Sequence, residues 1–457
     1  MDPPPMNPVD YATARVAILG VGREGRAAWR YLRARFPKLP IALFDEAVPE
    51  QVFVSSLTAL DRLQTGPFEE ADLAGFDVLV RSPGISPYRT FMRRAAAAGA
   101  RITSPSNLWF EAHPDAKTVC VTGTKGKSTT SALIAHLLQA CGYDVRLAGN
   151  IGQPLLDCDD RGVDWWVIEL SSYQLADLEA EPRVSVILNL TPEHLDWHQG
   201  EDNYRRDKLR LAELAGRRTL VVNAADTALR AAFAGREGVT WFNGEQGYRT
   251  DSRYLWDGAT RLPVSAPPAL PGRHNLSNIA AALTAVRAAG GEPDAALAAL
   301  DSFVPLPHRL QWLGERDGLR FVNDSISSTP VATAAALETL AGEELVLIVG
   351  GFDRGLDWSP YVPVFAASPP RAVIGLPANG PRIVATLQNA GIRPECGLHL
   401  APNLEEGIVR ARELSRPGGL ILLSPGAPSF PQFRDFRDRG RQFARLCGFE
   451  WDDPEAG

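Results

Sequence analysis

Short apolar runs alternate with amphipathic stretches along the whole chain. Residues 16–20 (VAILG), 41–45 (IALFD) and a third run holding 78–80 read as buried strands. Residues 24–35, between the first two, carry helix formers. The pattern resumes with strands at 118–122 (TVCVT), 165–170 (WWVIEL), 184–190 (VSVILNL) and 219–223 (TLVVN). It resumes again at 345–350 (LVLIVG), 371–375 (RAVIG) and 420–423 (LILL). Residues 127–140 place Leu133, Ile134, Leu137 and Leu138 at near-helical spacing, and 278–289, 331–340 and 404–414 also read as helices. Strands alternating with helices predict parallel sheets with crossover helices, an α/β fold.

The pattern breaks twice, at His113-Pro114-Asp115 and at the turn-like Pro305-Leu-Pro-His-Arg309. A chain of 457 residues exceeds one core, and roughly 150 residues per domain suggests three. The expected domains are 1–112, 113–304 and 305–457. Residues 452–457 are expected to form a frayed tail.

Composition narrows the class. Hydrophobic residues make up 45% and charged residues 22%, which excludes a disordered, collagen-like or disulfide-dense chain. No apolar run approaches the roughly 20 residues that span a bilayer. Residues 1–15 hold no apolar signal core, so a cytoplasmic location is expected. The net charge of −7 argues against broad nucleic-acid binding. The five cysteines are odd in number and form no CxxC pair, so reduced thiols are expected, with Cys120 buried in its strand.

The strongest chemical signal is Val121-Thr-Gly-Thr-Lys-Gly-Lys-Ser-Thr129, between an apolar strand and a helix. Backbone N–H groups and the helix start favour an anion there. Gly123 and Gly126 let the chain approach phosphate, Lys127 reaches the terminal phosphates, and Ser128 can ligate Mg²⁺. Thr124, Lys125 and Thr129 complete the expected ATP turn. It is a shortened variant, because Val121 stands where the strict pattern has glycine. Glu169 ends a strand, where α/β folds place ligands. The Gly149 to Gly152 turn adds backbone donors and the Asn150 amide. In Asn189-Leu-Thr-Pro-Glu-His-Leu-Asp-Trp-His198, His194 and His198 would share a face if helical. The order excludes a zinc-protease HExxH site and favours a magnesium-associated histidine.

These segments, with Tyr204-Arg-Arg-Asp-Lys208, His274-Asn-Leu-Ser-Asn278, Pro307-His-Arg309, Asn323-Asp-Ser325 and Leu423-Ser-Pro425, resemble in order the Mur ligase family. Its members are ATP-dependent enzymes that add amino acids to the peptidoglycan precursor. The resemblance implies a Rossmann-like first domain, a central P-loop ATPase-type domain and a Rossmann-like third domain. Gly20-Val-Gly-Arg-Glu-Gly25, with Asp45 about 20 residues on, would alone suggest NAD. The glutamate-adding members of the family instead hold the UDP group there. This reading puts Gly22, Arg23, Asp45, Ser82, Gly84, Asn150 and His194 on the UDP-sugar. Asn278, Arg309 and Asp324 are implied at the nucleotide, and Ser328, Arg354, Ser429 and Phe436 at glutamate.

Further roles also come from the resemblance. Lys127, Glu169, His194 and Lys208 are implied as catalytic. Two Mg²⁺ sites are implied on Ser128, Glu169, His194 and Lys208, with Lys208 carbamylated. Lys125, Ile326, Ser328 and Arg354 depart from the common D-glutamate pattern and look more like a divergent branch that adds L-glutamate. That branch works with an epimerase acting on the product. The expected partners are UDP-N-acetylmuramoyl-L-alanine and glutamate, with no nucleic acid or membrane, and a monomer is expected. Sites spread over three domains imply closure before chemistry, with 305–309 near the hinge. The alternative reading is the same reaction with D-glutamate, and the remoter rivals are a folylpolyglutamate synthetase and an NAD-binding sensor.

Overall fold

The structure is a computed structural model that describes residues 11, 13–251, 254–262, 270 and 273–450. The tail expected at 452–457, and most of the 1–15 stretch, lie outside the described residues. The chain forms two compact units, one of Met1–Ser265 with Leu276–Asp301, the other of Ala266–Asn275 with Ser302–Gly457.

The first unit opens with a parallel sheet of β1 (Val16–Leu19), β2 (Ile41–Asp45), β3 (Asp61–Thr65), β4 (Val78–Arg81) and β5 (Arg101–Thr103). Its order is β3-β2-β1-β4-β5. Helix Arg23–Arg35 buries Ala28, Trp29 and Leu32 on one face of it. The run at 78–80 therefore belongs to the fourth strand, not a third. The overlooked β3 (DRLQT) is a polar edge strand with no fully buried position, so it carries no apolar signal.

A second parallel sheet follows, of β6 (Thr118–Thr122), β7 (Val145–Gly149), β8 (Trp165–Glu169), β9 (Val184–Ile187), β10 (Thr219–Asn223) and β11 (Val239–Phe242). Its order is β11-β10-β9-β6-β8-β7. All five residues of β6 and all five of β8 are buried, as central parallel strands require. The strand expected over 184–190 stops at Ile187, and Leu188 to Leu190 run on as loop. The helix expected from 278 begins five residues earlier and spans Arg273–Ala288. A small antiparallel sheet, β12 (Tyr248–Thr250), β13 (Leu255–Asp257) and β14 (Thr260–Arg261), is appended.

The expected boundary at 112/113 falls at the end of helix Pro105–Ala112. Trp109 and Phe110 of that helix pack into the core of the second sheet. Arg81, at the end of β4, forms a two-pronged ion pair with Asp177. These shared contacts make one unit of residues 1–112 and most of 113–304.

The second unit holds β15 (Gln311–Arg316), β16 (Leu319–Asn323), β17 (Leu345–Gly350), β18 (Ala372–Leu376), β19 (Leu398–Leu400) and β20 (Leu420–Leu423). Its order is β15-β16-β20-β17-β18-β19, with only β15 antiparallel. Helices Leu404–Leu414 and Phe436–Cys447 cover one face through Ile408, Phe443 and Cys447. All five cysteines are free thiols, and burial pushes the Cys120 thiol up to about 12. Among the described residues no helix is long and apolar enough to cross a membrane.

Candidate active site

Parallel α/β sheets bind ligands beyond the carboxyl ends of their strands, where the strand order reverses. In the first sheet that point lies between β1 and β4, which carry the Gly20 and Ser82 turns. In the second it lies between β6 and β9, which carry the Gly123 turn and Asn189. In the third it lies between β17 and β20, which lead to Gly351 and Ser424.

The turn after β6 is drawn tight by its own polar groups. Gly123 has φ +157°, and a Cβ there would stand 2.8 Å from the Leu188 Cβ. Gly126 caps helix Lys127–Ala140 in the left-handed region, and its added Cβ would stand 2.5 Å from the Asn278 Oδ1. Asn278 is thus packed against this turn. Asn189 clamps Lys125, its Oδ1 accepting from Lys125 N at 2.8 Å and its Nδ2 donating to Lys125 O at 2.9 Å. Thr124 Oγ1 lies 2.7 Å from the Tyr204 hydroxyl. Ser128 is half-buried and Thr129 is buried in the first helical turn.

Three lysines surround this turn. Lys127 Nζ donates to the Gly123 carbonyl at 2.9 Å and to Thr124 O at 3.1 Å. Lys208 Nζ reaches the same Gly123 carbonyl at 2.9 Å. Lys125 Nζ pairs with Glu193 at 2.8 Å. An ordinary lysine on a charged helix is solvated, but Lys208 is only 2% exposed. Burial, with Lys127 as a second cause, holds its amine well below the usual lysine range.

Glu169 is 1% exposed at the end of β8. Its Oε1 accepts from Asn150 Nδ2 at 2.6 Å, and its Oε2 is buried with no hydrogen-bond partner. A buried carboxylate oxygen without a donor is costly unless a cation meets it. The Ser128 hydroxyl and Glu169 fit Mg²⁺, which takes one or two protein oxygens and completes its octahedron with phosphate and water. Among the described residues no three His, Cys, Asp or Glu side chains cluster as a metal cage.

The two histidines do not share a helical face. His194 sits before the short helix Leu195–His198 with φ +57°, and it is exposed beside Glu193. Partial desolvation of the half-exposed side chain lowers its pKa, against the opposing pull of Glu193. His198 is fully buried, with Nδ1 2.7 Å from Asp207 and Nε2 3.0 Å from Ser172. The left-handed residue at 194 separates them.

The turn after β1 is organised differently. Asp45 accepts from Val21 N at 2.6 Å and from Ala47 N at 2.9 Å. Ser82 Oγ donates to Gly20 O at 2.5 Å. A Cβ on Gly25 would lie 1.9 Å from that same carbonyl, so only glycine fits. Gly22, Arg23 and Gly84 are exposed at the rim. Arg23 donates to Gly152 O at 2.8 Å, which joins this turn to the Asn150 turn.

In the second unit Ser328, Arg354 and Ser429 stand on the loops after β16, β17 and β20, and Phe436 opens the helix Phe436–Cys447. Ser328 is half-buried, Arg354 exposed, Ser429 buried and Phe436 half-buried, its ring edge-on to His308 at 5.8 Å. Asp324 is enclosed, accepting from Ser327 Oγ, Ser424 Oγ and Leu310 N. Burial pushes its carboxyl up to about 6 against those hydrogen bonds. Arg309 is half-buried near it.

Sequence reasoning missed Tyr204, the Asn189 clamp, the buried Asp207 and Arg439. Tyr204 and Lys208, four apart on one helix, carried a signal that the motif alone did not explain. Arg439 is 1% exposed and donates to Ser325 Oγ, Ser325 O and Ala427 O, shaping the loop that holds Asp324.

Three family models match the chain. They are the Mur ligase MurD-like N-terminal domain over residues 14–104, the Mur ligase middle domain over 121–286, and the Mur ligase glutamate ligase domain over 308–426. A protein of Xylella fastidiosa (strain Temecula1 / ATCC 700964), named UDP-N-acetylmuramoyl-L-alanine--L-glutamate ligase, is 44% identical over 456 residues and 96% of each chain. A Micromonospora protein of the same name is 40% identical over 447 residues, covering 94% of this chain and 95% of its own. Among solved structures, the MurF ligase from Thermotoga maritima in complex with ADP superposes with a TM-score of 0.60. That match covers 96% of this chain and 98% of the other at 15% identity, a likeness of fold.

Proposed function

This chain belongs to the Mur ligase family, and from that premise we propose that it joins L-glutamate to UDP-N-acetylmuramoyl-L-alanine at the expense of ATP. The observation that carries the reading is the convergence of Lys127 and Lys208 on one carbonyl of the phosphate turn. The orphaned Glu169 oxygen supports the same reading.

A carboxylate oxygen is a poor leaving group and phosphate a good one. An oxygen of the L-alanyl carboxylate attacks the γ-phosphorus of ATP, the bond to ADP breaks, and an acyl phosphate forms. The glutamate amine attacks the acyl carbon, loses a proton, and phosphate departs from the tetrahedral intermediate. The protein's part is positioning and charge neutralisation.

Lys127 and the N–H groups at the start of helix Lys127–Ala140 neutralise the transferred phosphoryl group. Mg²⁺, when bound, supplies Lewis-acid stabilisation of phosphate charge. Ser128 and Glu169 would hold one ion, and His194 and Lys208 would serve a second. Burial of Lys208 favours its neutral amine, the form that takes up CO₂ as a carbamate. Gly22, Arg23, Asp45, Ser82, Gly84, Asn150 and His194 are assigned to the sugar nucleotide. Asn278, Arg309 and Asp324 are assigned to ATP, and Ser328, Arg354, Ser429 and Phe436 to glutamate.

Two observations favour the L enantiomer. The relatives named above carry L-glutamate in their names. Arg354 also offers a planar fork where the common pattern has a lysine point charge. A product ending in L-glutamate calls for an epimerase downstream. The test supplies UDP-N-acetylmuramoyl-L-alanine, ATP and Mg²⁺ with L- or D-glutamate separately, and follows phosphate release and product mass. Product with the L form alone is expected. Product with the D form alone would move the assignment to the D-glutamate ligase, and no product with either would sink the ligase reading. Folate offered as acceptor should give nothing.

A further inference from the structure

Helix Glu201–Leu214 buries two adjacent residues, Asp207 and Lys208, at 3% and 2% exposure. Neighbours on a helix point about 100° apart, so they serve different partners. Lys208 faces the phosphate turn. Asp207 faces away from it and joins an unbroken chain of hydrogen bonds. Tyr88 Oη donates to Asp207 Oδ1 at 2.5 Å, Asp207 Oδ2 lies 2.7 Å from His198 Nδ1, and His198 Nε2 lies 3.0 Å from Ser172 Oγ. Every atom is satisfied when Nδ1–H donates to Asp207 and Nε2 accepts from the serine hydroxyl.

The order Ser–His–Asp matches a hydrolase triad, but the burial does not. Ser172 is 3% exposed and His198 0%, so no acyl group reaches the serine. The chain instead ties together three segments. Ser172 lies three residues beyond Glu169, Asp207 is next to Lys208, and Tyr88 closes the loop that begins at Ser82. That loop is also latched to residues 197–199. Trp197 Nε1 donates to Gly84 O at 3.0 Å, Ser86 Oγ donates to Trp197 O at 2.7 Å, and Gln199 Nε2 donates to Tyr88 O at 3.2 Å. The Tyr173 ring stacks on Trp197 at 4.2 Å.

We propose that Tyr88, His198 and Asp207 are positioning residues: their hydrogen-bond chain holds Lys208 and Glu169 in register with each other and with the Ser82 loop. The proposal rests on the ligase reading for the roles of Lys208 and Glu169. In that reading, the loop that meets the sugar nucleotide and the groups that meet ATP share one rigid link, through side chains that touch neither substrate.

The test exploits the two ring nitrogens of His198. Asparagine places its amide nitrogen near Nδ1, and glutamine places its own near Nε2. His198→Asn keeps the charge-assisted bond to Asp207 and gives up only the weaker neutral one to Ser172, so kcat should stay within about threefold. His198→Gln fills more of the volume but loses that bond, and kcat should fall at least tenfold, with KM for glutamate changed less than twofold. Simple packing predicts the reverse order, so a glutamine variant as active as the asparagine variant overturns the proposal. A second measurement needs no ligase activity. Tyr88→Phe keeps the ring and removes the hydroxyl, and amide hydrogen exchange over residues 201–214 should rise several-fold while residues 345–423 are unchanged. Unchanged exchange in 201–214 counts against the link whatever the enzyme ligates. Absence of ligation in the wild-type chain counts against the ligase reading alone.

Discussion

The turns after β1 and β6 have one architecture and opposite electrostatics. Each follows a buried parallel strand, opens a helix, and contains glycines that no other residue could replace. The first is knit by a carboxylate, because Asp45 takes up the N–H of Val21 and Ser82 fills the Gly20 carbonyl. The second is ringed by Lys125, Lys127 and Lys208, with the Glu169 carboxylate behind them. Glycine spacing therefore sets how closely a ligand approaches, and the charges around the turn decide which ligand is favoured. An anion meets three lysines at the second turn, whereas at the first it meets Arg23, opposite the Asp45 carboxylate.

The largest way to break this contrast is Lys127→Ala. It removes a cation from the developing phosphoryl charge, and kcat should fall on the order of a thousandfold. ATP-dependent phosphate release in the presence of acceptor and glutamate is the measurement. Turnover at the wild-type rate would mean that the second turn does not serve phosphoryl transfer.

Glu169→Gln sharpens the same side. The amide oxygen still accepts from Asn150, but the charge that would hold Mg²⁺ is gone. Activity should fall about a hundredfold and need more Mg²⁺ for half-saturation, since weakening a metal site costs roughly that much. The variant should also melt higher, because it removes a buried negative charge that no cation meets, which outweighs the amide NH₂ left in place of the partnerless oxygen. A stability gain coupled to an activity loss marks a functional group. A Mg²⁺ titration and a melting curve on the same preparation test both halves.

Asp324 extends the comparison to the third sheet, where burial acts without a lysine cluster. Its carboxyl is raised from the ordinary 3.8 to about 6. Below the unfolded value both states hold the proton and the contribution to stability is complete. As pH rises towards 6 the unfolded chain releases it first, so the contribution is lost, amounting to about 2–3 kcal/mol. Asp324→Asn should remove this slope. The gap in unfolding free energy between variant and wild type should widen in favour of asparagine from pH 4 to pH 7. A constant gap would mean that the carboxyl titrates normally.

The fold was legible wherever burial was two-sided. β2, β6, β10, β17 and β20 match their apolar runs residue for residue, because a central parallel strand hides both faces. The edge strands β3 and β15 escaped, since their residues face water at least in part, and the buried β16 escaped because Arg320 and Asn323 leave it an apolar run of only Phe321 and Val322. Of the site, glycines and lysines in motif order were readable, and the structure brings Lys127 and Lys208 together on the Gly123 carbonyl. The pairing of Asp207 with His198, and the buried Arg439, were not readable. Charged side chains on amphipathic helices carry no local sign of whether they point inward, and only the packing of distant segments decides it.

The smallest expected effect belongs to the first turn. Asp45 serves two N–H groups, Val21 and Ala47, with its two oxygens. In Asp45→Asn the amide oxygen can accept from only one of them, and the NH₂ then faces the other donor. The turn should loosen by about 1 kcal/mol, the worth of one hydrogen bond. KM for the UDP-linked acceptor should rise several-fold, up to about tenfold, with kcat within about twofold, because the proposed function gives this turn to substrate binding and the β6 turn to the transferred phosphoryl group. Initial rates against acceptor concentration separate the two constants. If kcat collapsed while KM stayed constant, the carboxylate-knit turn would belong to the chemical step, and its contrast with the lysine-ringed turn would no longer divide binding from catalysis.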